Sequence, residues 1–92
     1  MKYHSYIKRS AAPVNNVTIP NCESSVDRVA LTVQNRDLIA VITISNTPNG
    51  DGLEIDPLTS MIRDNKTAQG AVFIRSTIAN SIIIVEEVFG EM

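Results

Sequence analysis

The sequence predicts an all-β fold, namely a small antiparallel β-sandwich or barrel of jelly-roll or immunoglobulin-like type, with about six or seven strands and an extended N-terminal arm. Valine, isoleucine and threonine occur in short runs, and turn-forming residues separate these runs at intervals of about ten residues. No stretch keeps the apolar spacing of a helix over three turns. Because 92 residues are enough for only one small core, we expect an arm over residues 1–13 and a single β domain over residues 14–92.

The first half of the domain contains three candidate strands. Residues 14–19 alternate weakly and end before Pro20, and residues 26–34 alternate more regularly. In this second strand Val29, Leu31 and Val33 share one predicted face, and the opposite face carries Arg28, Thr32 and Gln34. Residues 38–45 begin with apolar side chains on both faces, which predicts the most buried strand of the domain. The short connection at residues 35–37 predicts that the strands at residues 26–34 and 38–45 form a hairpin.

The second half of the domain begins with the strongest turn signal of the chain, at residues 46–52. Its Asn-Gly and Asp-Gly pairs offer the positive φ that tight turns need. Pro57 interrupts the apolar pattern that follows, so we expect this region at a sheet edge or at a corner between two sheets. The remaining segments predict strands at residues 53–56, 58–63, 71–75 and 81–89.

Charge is divided unevenly along the chain. Lys2, Lys8 and Arg9 give residues 1–13 a charge of +3, because this segment contains no acidic side chain. The other residues contain five basic and ten acidic side chains, so their charge is −5. An acidic body disfavours nucleic acid as a partner, since phosphate contacts require clustered Lys and Arg. No membrane partner is expected, because the longest apolar run is far shorter than the roughly 20 residues that cross a bilayer.

The sequence offers no residues for catalysis. The one histidine, His4, lies in the arm, where a general base is not held to the tolerance that catalysis requires. The one cysteine, Cys22, has no second cysteine or nearby histidine, so we expect a half-buried core residue and no zinc site. No glycine-rich phosphate loop is present. We therefore predict a protein that is not an enzyme, with no catalytic residue, metal or cofactor.

The acidic side chains suggest two kinds of site, a glycosidase-like carboxylate pair and a calcium-binding turn, and the rest of the sequence supports neither. The candidates for the carboxylate pair are Glu54, Asp56, Glu86 and Glu87. A glycosidase would also need aromatic side chains that stack on the sugar, and the chain contains no tryptophan. The turn at residues 49–56 gathers oxygen ligands of the kind that calcium prefers, but its spacing does not match an EF-hand loop. We therefore interpret its polar residues as turn formers.

The order of segments along residues 14–89 forms a pattern. It consists of a strand with Pro and Asn (14–21), a long apolar pair (26–45), a Gly/Asp turn (49–52) leading into a strand with Pro57 (53–58), a loop of small residues (68–70), a strand (71–75) and a closing strand (81–87). In this order the chain resembles the small all-β virion proteins of tailed bacteriophages, of the capsid decoration or tail-associated type.

The resemblance implies a non-enzymatic virion protein, a capsid decoration or cement protein that self-assembles, often as a trimer. Its partners would be copies of itself and the major capsid or tail protein. Its location would be the virion, after synthesis in the host cytoplasm, and the residues after Met1 lack the apolar stretch of a signal peptide. Alternative hypotheses are a carbohydrate- or receptor-binding β module and a small intracellular regulatory protein. Independently of the resemblance, a sandwich this small favours homo-oligomerisation, which would protect its exposed strand edges.

The arm has two interpretations that the sequence leaves open. In one, it clamps an acidic neighbour in the particle, with apolar anchors and steering charges. Its binding residues are then Lys2, Tyr3, Tyr6, Ile7, Lys8 and Arg9. In the other, the arm is a disordered terminus.

Overall fold

The structure is a computed structural model that describes residues 2–14, 20–64 and 68–91, and it confirms a small all-β sandwich. The strands in chain order are β1 (Lys2–Ala12), β2 (Arg28–Asn35), β3 (Ile42–Ser45), β4 (Leu53–Ile55), β5 (Ser60–Asp64), β6 (Phe73–Ser76) and β7 (Ser81–Glu91). They form a four-stranded sheet of order β1-β7-β2-β5 and a three-stranded sheet of order β4-β3-β6. Neighbouring strands in both sheets run antiparallel.

The core lies between the two sheets, where alternate residues of each strand meet. The four-stranded sheet contributes two inward side chains from β2, two from β7 and one from the end of β1, because alternate strand residues point to the same face. The three-stranded sheet contributes isoleucines from all three of its strands. The buried cluster consists of Ala12, Cys22, Leu31, Val33, Ile42, Ile44, Ile55, Ala68, Val72, Ile74, Ile83 and Val85.

The segment predicted as an arm is extended in the structure, and most of it is strand β1. All eleven residues of β1 pair with β7, from Lys2 opposite Glu91 to Ala12 opposite Ser81. Ala12 is fully buried and begins the core at this end of the strand. From Lys2 to Ala12 the arm is therefore joined to the sheet, and the outer side of β1 forms one edge of that sheet.

The predicted hairpin between the second and third strands is wrong, because β2 and β3 lie in different sheets. Asn35 explains the crossover. Its buried amide nitrogen donates to the carbonyls of Ala40, at 2.8 Å, and of Ile55, at 3.0 Å. Its Oδ1 accepts the backbone N–H of Asp37 at 2.9 Å. These bonds take the place of the hydrogen bonds that would join β2 to β3 in a hairpin. They hold the chain where it crosses from one sheet to the other.

The prediction that residues 38–45 form the most buried strand is correct only for their second half. Leu38 and Ile39 are 76% and 74% exposed, and β3 begins at Ile42. The Asp37 carboxylate accepts the backbone N–H groups of Ile39 and Ala40 at 2.9 and 2.7 Å. This local binding holds the segment in a loop, in spite of its apolar side chains.

The predicted turns are present, with different residues in the special conformations. Residues 46–52 connect β3 and β4 as expected, and Pro57 lies at the corner where the chain leaves one sheet for the other. Positive φ occurs at Asn49 (55°) but at no glycine that the structure describes. Gly52 is needed for a steric reason, because a Cβ atom there would lie 2.7 Å from the Ile44 carbonyl carbon.

The first predicted domain strand, residues 14–19, lies almost entirely outside the described residues. Val14 forms an isolated bridge with Ser76, and Cys22 forms another with Val72. The first bridge is formed with the last residue of β6, and the second with the residue directly before β6. The bridges cover parts of the outer edge of β6, so the edge of β6 is less open than the edge of β1.

Candidate interaction surface

Strand β1 carries the residues predicted to bind a partner, but it distributes them over two faces. Because Lys8 pairs with the inward residue Val85, even-numbered residues of β1 lie on the core side of the sheet. Tyr6 and Lys8 therefore share one face. The opposite face carries Tyr3, Ile7 and Arg9. For Lys2 the structure describes only the backbone pairing.

The two predicted residues on the core side help to hold β1 in place. The ring of Tyr6 meets that of Phe89 edge to face, with the ring centres 5.7 Å apart and the planes at 69°. Lys8 Nζ donates to the carbonyl of Asn21 at 3.2 Å. Tyr6 is nevertheless exposed over most of its surface, as is Tyr3 on the other face.

The outer face of the four-stranded sheet presents Ile7 beside a shallow groove. Ile7 is 68% exposed, and the groove has a volume of about 230 Å³. Ser5 donates to the Glu86 carboxylate at 2.9 Å at its border. No aromatic ring lines the groove, which disfavours stacking of a sugar. Its lining residues are Ile7, Thr32, Gln34, Ser60, Ile84 and Glu86.

The β4 edge, on the other sheet, is acidic and partly apolar. We use this name for residues 51–58. Leu53 and Leu58 are 59% and 60% exposed. A depression of about 340 Å³ opens beside Leu53, between the edges of the two sheets, and Arg63 lines its far side. The acidic side chains of this edge are Asp51, Glu54 and Asp56, all of them exposed.

The acidic groups singled out in the sequence do not converge on one site. Glu86 and Glu87 are consecutive in β7 and so point to opposite faces of the sheet. Glu54 and Asp56 belong to the other sheet and to the corner that follows it. Within residues 2–14, 20–64 and 68–91, no three His, Cys, Asp or Glu side chains are placed to hold a metal ion.

A buried charge network around Arg28 is the main polar feature that sequence reasoning missed. The sequence places Arg28 on the polar face of its strand, but a bulge between Arg28 and Ala30 turns this side chain into the core. Arg28 Nη1 donates to the carbonyl of Glu23 at 2.8 Å and to the Glu87 carboxylate at 3.0 Å. Nε and Nη2 donate to the carbonyls of Ala68 and Gly70. The guanidinium thereby ties two loops to β7.

Cys22 lies close to this network and is fully buried, not half-buried as predicted. Burial, together with the negative charge of Glu87, raises the pKa of the Cys22 thiol above its ordinary value of 9.0. A raised pKa keeps the sulfur protonated, which disfavours a nucleophilic role. His4 lies on β1, opposite Phe89 of β7.

Comparison with protein-family models, with curated proteins and with solved structures found no match for this chain. In the part of the chain that the structure describes, no helix has the length and apolar character to span a membrane.

Proposed function

We propose that this protein is a non-enzymatic structural protein that assembles with copies of itself through the outer edge of β1. The observation that carries the proposal is this edge. It is eleven residues long, no other described strand pairs with it, and it presents the exposed side chains of Tyr3, Tyr6 and Ile7. Unpaired N–H and C=O groups along an edge strand are a template for pairing with another chain.

The charges of β1 restrict which chains can pair with its edge, but they do not block the edge. Lysine is a common protection of edge strands against unwanted pairing, and β1 carries Lys8 and Arg9. Neither proline nor an acidic residue occurs between Lys2 and Ala12. The edge is thus open to strand pairing, and it is selective for partners with negatively charged groups opposite Lys8 and Arg9.

The resemblance to phage virion proteins adds a location to this proposal. According to the fuller proposal, the chain decorates a capsid or tail surface and contacts the major capsid or tail protein as well as its own copies. The support for it is the pattern resemblance together with an all-β fold of seven strands. The absence of an aromatic ring from the groove on the outer face makes the carbohydrate-binding alternative weaker.

The mass in solution tests the proposal. Light scattering after size exclusion, over a wide range of concentration, should give multiples of the 10.0 kDa chain mass. Ile7→Ser should weaken the assembly, because it removes an exposed apolar group from β1. Ile39→Ser is the matched control, since Ile39 is similarly exposed but lies in a loop outside the sheets. A monomer at every concentration would contradict the proposal.

A further inference from the structure

We propose that β1 of one copy docks on the β4 edge of the next copy, so that the chain assembles head to tail. The inference rests on the proposed function and adds to it the identity of the second surface. The observations that lead to it are the opposite charges of these two edges, their exposed apolar side chains and their positions on opposite sides of the sandwich.

The β4 edge is the acidic partner. Residues 46–62 contain three carboxylates and no Lys or Arg. Nothing in the described part of the chain forms a hydrogen bond or ion pair with the carboxylates of Glu54 and Asp56. Arg63 and Arg75 bind other acceptors, because Arg63 donates to Asn46 Oδ1 at 3.2 Å and Arg75 donates to the Gly50 carbonyl at 2.7 Å. The segment of residues 46–62 therefore has a charge of −3, and its Glu54 and Asp56 carboxylates are open to a cationic partner.

The β1 edge has the complementary character. Lys8 and Arg9 are exposed, and no acidic residue lies within residues 1–13. Exposed apolar groups accompany the charge on both edges, with Ile7 on β1 and with Leu53 and Leu58 on the β4 edge. Opposite charges would steer and orient the contact, and apolar burial would stabilise it.

The two edges lie on opposite sides of the sandwich. Directly after β1, the Pro13 carbonyl accepts the N–H of Ser76 at 2.8 Å, so β1 ends beside β6. At the other side, residues 56–59 form a tight turn, with the Thr59 N–H donating to the Asp56 carbonyl at 3.2 Å, and this turn joins β4 to β5. Contact between surfaces on opposite sides of identical copies is heterologous, and it produces a ring or an extended array.

A symmetric contact between two β1 edges is disfavoured by the same charges. A two-fold pairing would bring Lys8 and Arg9 of one copy next to the same cationic strand of the other. Like charges in such positions destabilise a pair of strands. The β4 edge is only three residues long in strand form, so the contact would extend from it over the flanking Asp51 and Asp56.

Charge reversal on either edge, and then on both together, tests the pairing. The variants are Lys8→Glu/Arg9→Glu, Glu54→Lys/Asp56→Lys and the fourfold combination, which has the net charge of the wild type. Arg36→Glu and Glu23→Lys reverse exposed charges elsewhere and serve as controls. Circular dichroism and the unfolding midpoint establish that each variant is folded, and light scattering gives the dissociation constant.

We expect each double reversal to raise the dissociation constant about tenfold or more, and the fourfold variant to recover wild-type assembly to within about threefold. If the fourfold variant does not recover, or if Glu54→Lys/Asp56→Lys assembles as the wild type does, the head-to-tail pairing is wrong, although self-assembly itself stands. If the wild type is monomeric at every concentration, both this inference and the proposed function are wrong.

Discussion

Replacing Arg28 by methionine is predicted to destabilise the sandwich by about 3–5 kcal/mol. The side chain is fully buried, and it donates to three backbone carbonyls and to the Glu87 carboxylate. Methionine occupies much of the same space but donates no hydrogen bond. A buried acceptor that loses its donor costs about 1–3 kcal/mol. The bond to the Ala68 carbonyl is buried and those to Glu23, Gly70 and Glu87 are partly buried, so the largest single loss comes from Ala68 and the other three acceptors add to it.

Urea denaturation followed by circular dichroism measures this loss. For a domain of this size the predicted loss corresponds to a decrease of about 2–3 M in the urea midpoint. Arg36→Met is the control, because Arg36 is exposed, and we expect it to change the free energy of unfolding by no more than about 0.5 kcal/mol. Glu87→Gln keeps an acceptor for Arg28 and should cost about 1 kcal/mol. A loss below about 1 kcal/mol for Arg28→Met would refute the assignment of a structural role to the network.

Three further predictions concern single residues. The backbone N–H groups of Ala40 and Ile39 lower the pKa of Asp37 below its ordinary 3.8, so its carboxylate stabilises the fold above that pH and the contribution is lost as the pH falls through the lowered pKa. The urea midpoints of the wild type and Asp37→Asn should therefore differ at neutral pH and converge in acid, and a constant difference would contradict this. The Cys22 thiol should react with a maleimide at least about tenfold more slowly in the folded protein than in urea, and equal rates would show that it is accessible. Leu58 has a φ of 61°, which is unfavourable for a residue with a branched side chain, so Leu58→Asn should stabilise the protein by about 0.5–1 kcal/mol. A lower urea midpoint for that variant would show that other contacts of Leu58 outweigh the backbone strain.

The alternation of apolar residues correctly predicted strands that have one buried face and one face towards solvent. Leu31 and Val33 in β2 are buried as the pattern indicates, and the turn at residues 46–52 joins two strands of one sheet. These features depend on residues close together in the sequence, so a local pattern is sufficient to predict them.

A local pattern could not predict the pairing of β1 with β7. The two strands are at opposite ends of the chain, and most β1 side chains are exposed, so no apolar alternation marks the strand. The same limitation applies to Arg28, because one extra residue at a bulge reverses the faces that alternation predicts. The hairpin error has a similar origin, because the bond from the Asn35 side chain to the Ile55 carbonyl joins residues that are far apart in the sequence.

The pairing of β1 also determines which experiments can test its role. Deletion of the arm would remove eleven paired residues from the four-stranded sheet and would expose the edge of β7. Loss of binding in such a deletion could then result from loss of the fold. Substitutions of exposed side chains on β1, with folding checked for each variant, separate the two effects.

Hydrogen–deuterium exchange of residues 2–12, compared between dilute and concentrated protein, tests most directly whether β1 is the surface through which the chain assembles. If copies pair through this edge, the β1 amides that point away from β7 should exchange more slowly in the concentrated sample, and those of the loop at residues 36–41 should be unchanged. If the mass increases with concentration while exchange in β1 stays the same, the chain assembles through another surface and the central claim is contradicted.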